Sequence, residues 1–164
     1  MQELVAHRFE PQVLEQAQAL LFGNPMDPNT QFGRAIDTQA AEKVEHRVFD
    51  AARQGAVLYH PRCRGALLPP IVIDMMPPDS TLVLQETFAP IVPIIRAPDS
   101  DDAVIQIANS TRFGLSSSVC TNNLHRATGF ARIAFILLCS RITLSLRSAN
   151  PTRSMQQDTK DNQD

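Results

Sequence analysis

Glu86 and Phe88 have the types and spacing most suited to chemistry in this chain. They lie in Gln85-Glu86-Thr87-Phe88-Ala89-Pro90, between the apolar runs Leu82-Val83-Leu84 and Ile91-Val92-Pro93-Ile94-Ile95. A carboxylate can accept two hydrogen bonds from a vicinal diol. An aromatic ring beside it can pack on a planar ligand. Two residues apart in extended chain, the two side chains point the same way. Pro90 pushes Ala89 out of the helical region, so the stretch reads as a turn at a strand start. The same residues also read more plainly, as an exposed Glu and a core Phe flanking a turn.

The elements that must position this stretch alternate between helix and strand. Residues 3–21 read as an amphipathic helix with a stripe of Val5, Phe9, Val13, Ala17, Leu20 and Leu21; Pro11 either kinks it or starts a second helix. Gly23 to Gly33, with Pro25 and Pro28, is a loop in which Asp27 caps a turn. Thr38 to Gln54 is the clearest helix: Asp37 or Thr38 caps it, Ala40, Val44, Val48 and Ala52 form its apolar stripe, and Gly55 closes it. Strands are expected at Ala56–Tyr59, Ile71–Asp74 and 91–95, with Pro93 sending the last towards a sheet edge. Pro98 to Asp102 starts a helix, Ser116 to Thr121 reads as a strand, and Asn122 or Asn123 caps a helix running to about Ile133. Helix followed by strand across a tight Gly is the grammar of an α/β layer.

The bulk numbers exclude several function classes. The 164 residues suffice for one domain with a core. A net charge of −2 gives nucleic acid no electrostatic purchase. Cys63, Cys120 and Cys139 are widely spaced, which fits a reducing, cytoplasmic setting rather than a disulfide framework or a zinc site. No secretory leader pattern opens the sequence, and no apolar run is long enough to cross a membrane. His60-Pro61-Arg62-Cys63 reads as a surface turn, not a metal site. Cys120 reads as a small buried strand residue.

Glu86-Thr87-Phe88-Ala89-Pro90 resembles the Glu-x-Phe-Gly-Pro motif of the aldehyde dehydrogenase superfamily, with Ala89 in place of the Gly. Further segments resemble the same family in the expected order. The Gly23–Gly33 loop is similar to its Gly-Asp-Pro-x-Asp loop, with Gly33, Ile36 and Asp37 matching and Arg34 where Pro is usual. Residues 101–109 and 109–116 are similar to its Asp-x-x-Ala-Ile-x-x-Ala-Asn helix and its Asn-x-x-x-Tyr/Phe-Gly-Leu-Ser/Ala segment. Gly65–Pro70 and Gly114–Asn122 lean towards the phosphonoacetaldehyde dehydrogenase-like subgroup.

The resemblance implies an α/β fold, the later part of a catalytic domain, over residues 1–133. Residues 134–164 form a divergent, largely disordered tail, with a loss of pattern abrupt enough to suggest a frameshift or altered exon. The resemblance also implies NAD or NADP as cofactor, with Glu86 on the nicotinamide ribose and Phe88 near the nicotinamide. It further implies an aldehyde substrate oxidised to an acid, and a homo-oligomer or a full-length homologue as partner. In the family a Cys thiolate attacks the aldehyde, hydride passes to NAD(P), and a base-activated water hydrolyses the thioester. That Cys and the general-base Glu are expected upstream of Met1, so no residue of this chain is assigned a catalytic role, nucleotide binding by the chain alone is unfavourable, and the chain alone is expected to be inactive. The competing expectation is a non-catalytic module that binds a full-length homologue or another partner.

Overall fold

The computed structural model describes residues 1–59, 63–114, 116–133 and 138–144. The chain runs α1 (Glu3–Ala19), α2 (Thr38–Arg53), β1 (Val57–Tyr59), β2 (Ile71–Asp74), the single turn α3 (Thr81–Leu84), β3 (Ile91–Pro93), α4 (Asp101–Ala108), β4 (Ser116–Thr121), α5 (Leu124–Ile133) and β5 (Leu138–Leu144). Three strands form a sheet in the order β1-β2-β3, and β4 pairs with β5 in a second. β1 is antiparallel to β2, whereas β2–β3 and β4–β5 are parallel. This is the expected mixed α/β architecture.

β2 is the centre of the core. All four of its residues are buried, as a central strand covered on both faces requires. Val44, Val48 and Ala51 of α2 pack with Ile71, Ile73, Leu68 and Met76, while Leu82, Val83 and Ala89 close over the edge of the cluster. The buried line on α2 is Ala41, Val44, Val48 and Ala51, which corrects the expected stripe of Ala40, Val44, Val48 and Ala52. A strict four-residue step drifts by about 40° per turn, whereas alternating three and four follows the helix face. Asp37 is the cap, accepting from the Ala40 N–H at 2.6 Å, and Gly55 sits at φ +103°, in the left-handed region.

Other expectations need correction. α1 runs unbroken through Pro11 and ends at Ala19. Only its Ala6 is buried, and Val5 and Phe9 of the expected stripe are exposed. The strand expected at 91–95 extends only to Pro93, although the Ile94 N–H still donates to the Ile73 carbonyl at 2.7 Å; it lies at the sheet edge, as expected, where a proline without an N–H is tolerated. Leu82–Leu84 is helical rather than a simple apolar run. Cys120 is exposed, not buried. Within the segment expected to be a tail, Leu138–Leu144 forms β5 beside β4; residues 145–164, and His60, Pro61 and Arg62 of the expected surface turn, lie outside the described residues.

Candidate functional site

The Glu86 stretch is fastened at both ends. At its start, the Ser80 hydroxyl accepts from the Leu82 N–H at 3.4 Å and caps α3. The Gln85 N–H closes that turn on the Thr81 carbonyl at 3.0 Å, and Gln85 itself leaves in extended geometry, φ −118° and ψ 142°. At its end, the Ile71 N–H donates to the Pro90 carbonyl at 2.9 Å, which places Pro90 beside the start of β2. Leu82, Val83 and Ala89 pack on the core. The polar residues between them are therefore carried on a segment whose two apolar feet are half-buried against the core.

Exposure then alternates along the segment: Glu86 and Phe88 are exposed, while Thr87 and Ala89 are half-buried. The expected same-side placement of Glu86 and Phe88 fits this alternation. Phe88 is 92% exposed, which overturns the reading of it as a core residue. Among the described residues, neither oxygen of the Glu86 carboxylate is taken up by a side chain; the contact made at this residue is to its backbone carbonyl.

Phe88 and Pro90 line an open groove of about 440 Å³ with Phe32, Gly33, Arg34, Ala35 and Leu68. The groove depends on the Gly23–Gly33 loop being held closed. The Gly23 N–H donates to the Phe32 carbonyl at 3.1 Å and the Gln31 N–H to the Leu21 carbonyl at 2.8 Å. The Phe22 and Phe32 rings stack with centroids 6.4 Å apart. Asp27 caps the internal turn, as expected, by accepting from the Asn29 N–H at 2.9 Å. The Ala35 N–H then donates to the Ala66 carbonyl at 2.8 Å, tying this loop to the turn that precedes Leu68.

One residue of the site has no signal in the local sequence. Arg47 of α2 reaches the segment with both terminal nitrogens: Nη1 donates to the Glu86 carbonyl at 3.0 Å and to Thr87 Oγ1 at 2.6 Å, and Nη2 donates to Gln85 Oε1 at 3.0 Å. A lone Arg among other charges on the outer face of a helix reads as a solvated surface position.

The described cysteines are poorly suited to nucleophilic work here. Burial, followed by the neighbouring Glu45 carboxylate, pushes the Cys63 thiol up to about 12, so it stays protonated near neutral pH. Cys120 belongs to the β4–β5 sheet, apart from the strands that flank Glu86. No group of three metal-ligating side chains occurs among the described residues, and none of the described helices is long and apolar enough to cross a membrane.

Comparison with known proteins gives this geometry a context. The model of the aldehyde dehydrogenase family matches residues 1–134. A lactaldehyde dehydrogenase of Methanocaldococcus jannaschii is 37% identical over 130 residues, covering 79% of this chain and 27% of the relative. An NADP(+) succinate-semialdehyde dehydrogenase of Mycobacterium ulcerans is 39% identical over 122 residues, covering 70% and 26%. Among solved structures, the glyceraldehyde-3-phosphate dehydrogenase GapN of M. jannaschii, complexed with NADP, superposes with a TM-score of 0.75 at 35% identity, covering 81% of this chain and 29% of that one. The chain therefore spans little more than a quarter of the length of the curated relatives it matches.

Proposed function

Because this chain belongs to the aldehyde dehydrogenase family, we propose that it is a portion of an NAD(P)-dependent enzyme that oxidises an aldehyde to a carboxylic acid. Its part in that enzyme is to present Glu86 and Phe88 to the nicotinamide half of the cofactor. The observation that carries this reading is the free, exposed Glu86 carboxylate on a segment anchored at both ends beside the Phe88 groove.

The donor chemistry fits the cofactor. A carboxylate with two unused oxygens matches the paired hydroxyls of a ribose, and an exposed ring can cover one face of a nicotinamide. When bound, the nicotinamide supplies the hydride acceptor for the oxidation. Glu86 contributes orientation, which accelerates a reaction only where the reacting groups are also assembled. Burial and the neighbouring Glu45 hold Cys63 as the neutral thiol, a poor nucleophile near neutral pH. The chain by itself is therefore expected to bind the nicotinamide half weakly and to turn over no aldehyde.

Saturation-transfer NMR with oxidised NAD and NADP tests this on the 164-residue chain. The expected result is transfer to the nicotinamide-ribose protons, with Glu86→Gln weakening it. Failure to see any transfer to that half of either dinucleotide would overturn the assignment of Glu86. Absorbance of the reduced cofactor, followed with short aliphatic aldehydes, is expected to stay flat; sustained production would overturn the expectation of inactivity.

A further inference from the structure

The geometry points to Arg47 as the positioning residue of the Glu86 segment. This inference goes beyond the assignment of Glu86 and rests on it only for the identity of the ligand.

Arg47 meets the segment at three consecutive residues. Its Nη1 bonds the Glu86 carbonyl at 3.0 Å and Thr87 Oγ1 at 2.6 Å, and its Nη2 bonds Gln85 Oε1 at 3.0 Å. A guanidinium is planar with its donors in fixed directions, so three acceptors held at once define the orientation of the backbone between them. An ammonium on a flexible stem has no such fork. Thr87 Oγ1 also lies 3.4 Å from the Gln85 carbonyl, which draws the segment further into one arrangement.

The contact spares the group it positions. Arg47 takes the backbone carbonyl of Glu86 and the side chains on either side of it, leaving the carboxylate without a partner among the described residues. Had the guanidinium paired with the carboxylate, the strongest acceptor of the segment would be consumed internally. A positive charge next to the Glu86 backbone also offsets part of the charge that the free carboxylate brings to this surface.

The anchor of Arg47 is itself rigid. Its neighbours Val44, Val48 and Ala51 on α2 are in the core with β2. The guanidinium therefore transmits the position of the central sheet to a segment 38 to 40 residues further along the chain. The half-buried feet at Val83 and Ala89 fix where the segment starts and ends; Arg47 fixes its middle.

Two readouts on Arg47→Met and Arg47→Lys in the full chain test this. The first is the heteronuclear NOE of the Glu86 and Thr87 amides. It is expected to be high in the native chain and to fall in both variants, more in Met than in Lys, while amides of β2 stay unchanged. The second is saturation transfer to the ribose of nicotinamide mononucleotide. It is expected to weaken about tenfold in Arg47→Met, the scale of losing one well-placed charged hydrogen bond, with partial recovery in Lys. Unchanged amide order in Arg47→Met would overturn the inference outright. Intact transfer in Arg47→Met, with transfer lost in Glu86→Gln, would also overturn it. Amide disorder in Arg47→Met, with no transfer even in the native chain, would uphold Arg47 as the positioning residue and overturn only the ribose assignment.

Discussion

Arg96 holds Asp74 by two of its nitrogens at the end of the central strand, Nε to Oδ1 at 3.0 Å and Nη2 to Oδ2 at 2.5 Å. Asp74 is the one charged residue in the buried run of β2. The same guanidinium reaches Glu3 and Glu10 of α1, and the Met75 N–H adds a bond to Asp74 at 2.7 Å. One cation therefore joins the central strand, the segment after β3 and the first helix. Truncating it leaves a buried carboxylate with little compensation. Arg96→Met is expected to cost about 3 kcal/mol, the lower end for breaking a buried pair, because Arg96 keeps some solvent contact. Urea denaturation at neutral pH checks this; a loss below about 1 kcal/mol, the range of a surface pair, would count against it.

Asp74 also predicts how stability responds to acid. Burial opposes its ionisation, but the Arg96 hydrogen bond, the Met75 N–H and the Arg96 charge together outweigh burial and leave its carboxyl below the usual value. A lowered folded-state pKa means that the contribution is complete above the unfolded value of about 3.9 and is lost as pH falls through the folded one. The native chain is expected to lose stability more steeply below about pH 4 than Asp74→Asn does. Parallel slopes for the two proteins in that window would show that Asp74 is not the group responsible.

The cysteines differ in a way that alkylation reads directly. Cys63 is half-buried with its thiol pushed up to about 12, whereas Cys120 is exposed. Reaction requires the thiolate and access to it. Iodoacetamide at pH 8, followed by peptide mass mapping, is expected to label Cys120 well before Cys63. Equal rates would mean that the packing around Cys63 and Glu45 is looser than described.

Much of the α/β framework was legible because it is written in local signals. The Asp37 cap, the helix start within residues 98–102, and Gly55 after α2 each act through neighbours within a few residues. Backbone geometry and first-turn hydrogen bonds do not depend on the rest of the fold. Glu86 and Phe88 stood out for a different reason: their spacing within a short motif resembles that of a known family, and the alternation of exposure in the segment is compatible with their shared side.

What the tertiary structure alone decided involves partners far apart in sequence. Nothing in the α2 sequence distinguishes Arg47 from Lys43 or Arg53, since its acceptors arrive from residues 85–87. Asp74 looks like an ordinary strand terminus until Arg96 and α1 close around it. The periodicity of α1 promised a buried stripe, yet burial requires a surface to pack against, and of that helix only Ala6 is buried. Likewise β5 has weak pattern of its own and takes its place from pairing with β4. The sequence by itself determined where the chain turns, starts helices and carries the Glu86 carboxylate; only long-range packing decided which charge holds that residue's backbone in place, because a hydrogen bond across some forty residues exists only once the core has brought its ends together.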